Sequence, residues 1–300
     1  MQVEALKVFS DVARFRSFSK SAEANGVTQS NASQTVHALE ERLGAPLIDR
    51  SHRPWKLTPA GETFYHGCRD ILHRLEALEA KVRGLPLAQA AEVRVASIYS
   101  AGLRHMKQYA QTFEKRHKPA RVHLEYHRPE DVYAAVAAGA ADVGIVSFPR
   151  VHRDLSILPW REEPMVAALP PDHPLAQGKA LDLKALNGQK FVAFERGLGI
   201  RAEVDKFLKA KGVTVDVALE FDNIEAIKRA VEIGSGIALL PRPTLDAEVR
   251  AGTLAALPLK SASFVRPLAI LHRRGSLAGP VESFIALLES QKDPEPLGAR

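Results

Sequence analysis

Gln29, Ser30, Ser33, Gln34 and His37 follow one another at spacings of one and three residues. Such spacings put all five side chains on one face of a helix. The side chains are short or medium in length, polar and mostly uncharged. A glutamine amide carries a donor and an acceptor and can pair in two places with the edge of adenine, while a serine hydroxyl can meet a base or a phosphate. A helix laid in the major groove of duplex DNA needs a face of this kind. An ordinary solvated helix face has a similar composition, so the surrounding elements must decide.

Those elements are legible. Ala32, Val36, Leu39 and Leu43 recur at helical spacing on the opposite side and should face a core. Thr28 stands where its hydroxyl would cap that helix and counts among the expected DNA-binding residues; Ser19 would cap a shorter helix before it. Between them, Asn25 and Gly26 tolerate the left-handed conformation that ends a helix sharply. Upstream, Leu6, Phe9, Val12 and Ala13 form an apolar stripe, and Phe15 and Phe18 look like core anchors. Downstream, residues 46–58 read as a short strand, a basic tip and a return strand, a wing on which Arg50, His52, Arg53 and Lys56 could reach phosphates or a minor groove. Asp49 argues against a purely phosphate-binding strip. Residues 1–58 therefore read as a winged helix-turn-helix.

Thr58 and Pro59 make a good helix start. Phe64, Cys68, Ile71, Leu75, Leu78, Val82 and Leu85 then alternate in steps of four and three, an apolar heptad seam suited to pairing with a second copy. The competing reading packs this helix on its own domain. Cys68 on the seam reads as a small buried apolar residue rather than a reactive thiol. Pro86 stops the helix, giving a linker over 59–88. Pairing would set two recognition helices on successive major grooves, over a partly palindromic site.

Over 300 residues, 46% hydrophobic and 25% charged residues describe a globular chain of two or three domains, and a net charge of +6 permits nucleic-acid binding. One cysteine excludes an internal disulfide framework. The opening M-Q-V-E-A-L-K does not read as a signal peptide, and no apolar run would cross a bilayer, so no membrane partner and a cytoplasmic location are expected. The sequence holds no G-x-S-x-G, P-loop, H-E-x-x-H or C-x-x-C, so no catalytic residue, cofactor or metal site is expected. His105, His117 and His123 lack metal-ligand spacing and read as surface or packing residues.

The segments L-K-V-F-S-D-V-A, S-F-S-K-S-A-E, V-T-Q-S-N-A-S-Q-T-V-H-A-L-E-E-R-L-G-A-P-L-I-D-R and L-T-P-A-G-E together resemble the LysR-type transcriptional regulators, and the likeness continues more weakly through nearly the whole chain. The resemblance implies a dimerising linker helix and an α/β effector domain of two lobes, similar to periplasmic solute-binding proteins. It implies homo-oligomers, often dimers of dimers, that bend promoter DNA, contact RNA polymerase and respond to a small metabolite. Ser30 stands where the family commonly has proline, and Gln34 where it commonly has arginine; arginine would favour guanine and glutamine adenine.

Residues 91–300 alternate between strand-like and helix-like segments, as an α/β sheet requires. Strands are expected over 93–97, 121–126 and 141–146, with helices over 101–117 and 132–138. A second lobe should begin near 161–164, with strands over 190–194, 215–221 and 236–241. The chain would return to the first lobe over 265–272, and a helix over 277–290 would close it. Lobe 1 then takes 91–161 and 266–291, lobe 2 takes 162–265, and 292–300 reads as a disordered tail. Ligands in such sheets sit at the carboxyl ends of strands. Three ends meet that rule: Ser97 with Ser100, Ser147 with Phe148, and Glu195 with Arg196. The serines also match positions where the family often uses hydroxyls on its effector. Arg196 could pair with a carboxylate or phosphate; Glu195 could receive an amine or simply hold Arg196. Helix capping competes for Ser100 and Asn223. Two rival readings stay open: an enzyme with an appended DNA-binding module, and a solute receptor that binds no DNA.

Overall fold

Helix α1 (Val3–Phe15) ends where Arg16 takes the left-handed conformation, and α2 (Phe18–Ala24) and α3 (Gln29–Leu43) follow at once. The structure, a computed structural model, describes residues 2–51, 54–82, 92–260, 263–275, 277 and 279–290. His52, Arg53, the linker beyond Val82 with Leu85 and Pro86, and the tail expected over 292–300 lie outside the described residues. Thr28 caps α3 as expected, its Oγ1 accepting from the Asn31 amide at 3.1 Å. The cap of α2 is Ser17 rather than Ser19: its Oγ accepts from Lys20 N at 3.3 Å, because the helix already begins at Phe18. Gly26 takes the left-handed turn at φ 64°. Asn25 does not, and its amide instead donates to Asp11 at 2.8 Å and to the Ser21 carbonyl at 2.9 Å. Leu6, Phe9, Val12, Val36 and Leu39 are buried together. Leu43, in the last turn of α3, is 43% exposed, and Phe15 lies at the surface beneath the Arg14 guanidinium, so neither is the core residue its spacing suggests.

The wing is a two-stranded ladder of β1 (Ile48–Asp49) and β2 (Lys56–Leu57). Glu40, buried on α3, sets its angle: Oε1 accepts from Leu47 N at 2.8 Å and Ile48 N at 3.0 Å, and Oε2 accepts from Arg50 at 3.0 Å. Burial pushes the Glu40 carboxyl up, but these backbone amides and Arg50 outweigh it and hold the group below the usual glutamate range. Helix α4 (Pro59–Val82) starts under the Thr58 hydroxyl, which accepts from Gly61 N at 2.9 Å and donates to the Pro46 carbonyl at 2.6 Å.

The heptad seam of α4 divides. Phe64 packs on Phe9 at 5.3 Å, and Cys68 is buried with Leu72 in the N-terminal core, its thiol pushed up to about 12 by burial. Leu75 is half-buried, while Ile71, Leu78 and Val82 stand exposed. The start of the seam therefore belongs to its own domain, since the first turns of α4 lie against α1.

Beyond the linker come β3 (Glu92–Ile98), α5 (Tyr99–Ala101), a π-helical turn (Gly102–Met106), α6 (Lys107–Arg116), β4 (Arg121–His127), α7 (Pro129–Ala137), β5 (Val143–Ser147) and β6 (Leu155–Leu169). The helix expected over 101–117 thus starts earlier and contains a π turn, at a glycine pressed on the Tyr126 ring, where an added Cβ would stand 2.3 Å from Cε1. Then follow β7 (Lys190–Phe194), α8 (Gly199–Ala210), β8 (Asp216–Phe221), α9 (Ile224–Glu232), β9 (Ala238–Pro241), α10 (Asp246–Ala251), β10 (Ala255–Leu257), β11 (Val265–Arg273) and α11 (Gly279–Ser290). Strands β4, β3, β5, β11 and β6 lie in that order, and β6 goes on to pair with β9 and β10. Strand β6 is thus one continuous strand through the point where the second lobe begins. Pro159 and Pro164 and the charges at Arg161, Glu162 and Glu163 hide it in the sequence. Separate apolar cores fill the two lobes, one around Phe113, Ile145 and Phe284, the other around Phe191, Ile227 and Leu240. Strands β7 and β8 pair in parallel in lobe 2.

Gly61 joins wing to linker by a close approach: a Cβ there would stand 1.9 Å from the Leu47 carbonyl oxygen. Gly61→Ala is expected to destabilise the N-terminal domain by about 1–3 kcal/mol through overpacking. Urea unfolding followed by near-UV signals of Trp55 checks this, and an unchanged midpoint would refute the contact.

Candidate functional site

The α3 face predicted from its residue types is presented to solvent. Gln29, Ser30, Ser33, Gln34 and His37 are exposed, as is Thr28, while Ala32, Val36 and Leu39 are buried beneath them. His37 stands 3.4 Å from Glu41, one turn along. Arg50 is half-exposed but bound to Glu40, so part of its donor capacity holds the wing rather than a phosphate.

A cavity of about 450 Å³ opens between the lobes. The carboxyl ends of β3, β4 and β5 reach it from one side and those of β7 and β8 from the other, as parallel strands dictate. Helices α5, α7 and α8 begin at its wall, none with a side-chain cap, so their first amides have no side-chain acceptor from the cap position. Asn223 caps α9 there, accepting from Ala226 N at 2.9 Å.

Of the residues predicted for this cleft, Ser100, Ser147 and Phe148 line it. Ser97 does not: it is fully buried, and its hydroxyl donates to the Ile98 carbonyl at 3.1 Å, because the alternation of β3 points it behind the cavity wall. Glu195 stands at the mouth, 3.2 Å from Arg128, and Arg196 turns away to solvent, 3.5 Å from Glu220. So Glu195 holds Arg128 across the mouth rather than holding Arg196. Phe148 has φ 47°, a costly conformation for a bulky residue, fixed by its amide donating to the Pro267 carbonyl at 2.9 Å. Its ring faces Phe264, which stacks on Phe207 of α8 at 4.4 Å.

Sequence reasoning passed over Arg128, Arg150, Tyr133, Asp222 and Arg266, all on the wall. The strand-end rule, extended to the ends of β4 and β8, finds Arg128 and Asp222. Arg266 sits inside a strand and gives no such signal.

Arg266 is nonetheless the buried centre of the floor. It lies directly opposite Glu163 on β6, donates to that carboxylate through Nε at 2.9 Å and through Nη2, and donates through Nη1 to Ser100 Oγ at 2.7 Å. His105, turned inward by the π helix, brings Nε2 to 2.9 Å from the other Glu163 oxygen. Burial pushes the Glu163 carboxyl up, but the hydrogen bond with His105 and the charge of Arg266 prevail and hold it below the usual range. His105 is therefore a packing residue with a polar partner; His117 stacks on Phe113, and His123 lies exposed beside Glu125. Among the described residues no group of three or more histidine, cysteine or carboxylate side chains is placed to hold a metal ion. Among them, too, no helix is long and apolar enough to cross a membrane.

The profile described as "Bacterial regulatory helix-turn-helix protein, lysR family" matches residues 3–62, and "LysR substrate binding domain" matches residues 88–293. The chain belongs to the LysR family. It is a transcriptional regulator with a helix-turn-helix and an effector-binding domain, as its sequence resemblance implies. The RuBisCO operon transcriptional regulator of Acidithiobacillus ferrooxidans is 30% identical over 275 residues, 92% of this chain and 89% of that one. Full-length OxyR from Pseudomonas aeruginosa, at 22% identity, shares the fold with a TM-score of 0.76 over 97% of this chain and 94% of its own. The regulatory domain of CcmR from Synechocystis PCC6803, in complex with 2-PG, is 28% identical with a TM-score of 0.63, covering 69% of this chain and 99% of that one.

Because the folded Glu163 pKa lies below the unfolded one, its contribution to stability is complete above the ordinary glutamate range and is lost as pH falls through the folded value. Glu163→Gln is expected to cost this LysR-family chain about 3 kcal/mol at neutral pH, since it leaves Arg266 buried without its counter-charge. The gap should narrow on acidification. Urea midpoints measured across pH check this, and parallel curves for the two proteins would contradict it.

Proposed function

We propose that α3 enters the major groove with Gln29, Ser30, Ser33 and Gln34 at base edges and Thr28 and His37 toward phosphates. The observation that carries this is the exposed, mostly uncharged face of α3 set rigidly on buried Ala32, Val36 and Leu39. Arg50 would follow the backbone beside it, and Arg53, outside the described residues, is expected from its place in the sequence to do the same. Exposed Ile71, Leu78 and Val82 supply an apolar stripe for a second copy, so two recognition helices would read two half-sites. Dimers of dimers and a contact with RNA polymerase belong to the same reading, as does a place in the cytoplasm beside promoter DNA.

The inter-lobe cavity takes the effector. Its aromatic and apolar wall, its uncapped helix starts and the arginines among its charges suit a small organic acid, and the CcmR regulatory domain in complex with 2-PG supports that reading. Ser100, Ser147 and Phe148 would touch it directly. The work is binding rather than turnover, with no cofactor: occupancy acts only through its difference in affinity between lobe arrangements.

A glutamine that reads adenine contributes to discrimination, not to phosphate attraction. Gln34→Ala is expected to lower the ratio of specific to random DNA affinity by about tenfold and to leave random binding and the salt dependence unchanged. Competition gel shifts check this; an equal loss on both DNAs would remove Gln34 from base recognition.

A further inference from the structure

Arg128 belongs to lobe 1, where it follows the last residue of β4 and precedes α7. Its guanidinium nonetheless ends on lobe 2. Nη2 donates to Asp222 at 2.9 Å and to Glu195 at 3.2 Å, the residues that follow β8 and β7. The bridge therefore spans the mouth of the cavity and joins strand ends of opposite lobes. Arg128 and Asp222 also line the cavity itself, so an entering molecule meets the same groups that hold the mouth. Arg150, a second arginine on the wall, pairs within its own lobe with Glu130 at 2.8 Å. Arg266 is committed to Glu163 and Ser100 in the floor. Among the described arginines that line the cavity, Arg128 is thus the one paired with strand ends of the facing lobe.

We propose that Arg128 with Asp222 and Glu195 is an inter-lobe latch that holds the empty cleft closed, and that an anionic effector works by taking Arg128 from Asp222. The second half rests on reading the cavity as the effector site; the first half does not. All three side chains are about half-exposed, so the latch is weak enough to be exchanged and is sensitive to ionic strength. Exposed pairs of this kind shift a two-state ratio by roughly threefold to tenfold when two carboxylates share one guanidinium. That suffices for a regulator whose states differ little in free energy.

The test needs no ligand. Spin labels on the full chain at Ala134→Cys, exposed on α7, and Lys209→Cys, exposed on α8, report the inter-lobe distance by pulsed dipolar spectroscopy. The labelled protein is diluted into unlabelled protein to suppress distances between copies, and buried Cys68 stays unlabelled. Arg128→Gln is expected to raise the open-to-closed ratio by about threefold to tenfold. Glu195→Gln combined with Asp222→Asn should do the same. Arg128→Glu should open the cleft further, and adding Asp222→Arg should return it toward the wild-type distribution. Distributions for Arg128→Gln and wild type that superimpose at low salt would overturn the latch. Titrating the labelled wild type with 2-PG and inorganic phosphate tests the effector reading separately. A cleft that opens in Arg128→Gln, yet responds to neither anion, leaves the latch standing and counts against those anions as effectors.

Discussion

Both lobes hang on one antiparallel pair of strands. β6 and β11 lie side by side from Pro164 opposite Val265 to Leu155 opposite Arg273, and β6 alone runs on into lobe 2 to carry β9 and β10. Where the pair passes beneath the cavity, Glu163 and Arg266 face each other in the interior. A buried ion pair adds little net stability against an apolar replacement, but breaking it is costly, because a charge is left without its partner. The pair therefore fixes register more than it strengthens the sheet. A one-residue slip would turn Arg266 to the other face, and with it the Ser100 contact that ties the floor to the start of α5. The strand ends, helix starts and aromatic column around the cavity keep their places relative to this crossing.

The N-terminal domain follows the same logic with different groups. Glu40 is buried near the end of α3, and its carboxylate accepts the two amides that begin the wing. Gly61 lets the linker helix approach the backbone of that strand. α3, wing and linker are thus joined by a buried carboxylate on backbone amides and by a close backbone approach, so the wing cannot be re-aimed without disturbing α3. A DNA-reading face needs that rigidity, because base contacts tolerate little error in position.

The sequence made the helix-turn-helix, the wing and most strands of both lobes legible, since caps, left-handed glycines and apolar periodicity are local signals. Thr28, Gly26 and Asn223 behave as their types require. What stayed hidden depends on distant partners. The strand β6 is masked by prolines and charges whose partners lie about a hundred residues away on β11. Ser97 and Ser100 are three residues apart and look alike in sequence, yet strand alternation buries one and a helix start exposes the other to the cavity. Phe64 and Cys68 fit the heptad seam, but α1 covers them first. Arg266 carries no sequence signal because its role arises only when the two crossings meet.

The proposed function requires a rigid pair of α3 faces to read duplex DNA. The most direct measurement is a footprint of the purified full chain on the DNA upstream of its own coding region, with random competitor present. Two protected half-sites are expected, centred one helical turn or a multiple of it apart, on the same face of the duplex. Uniform protection that competitor removes, or no protection by folded protein with or without 2-PG, would contradict it.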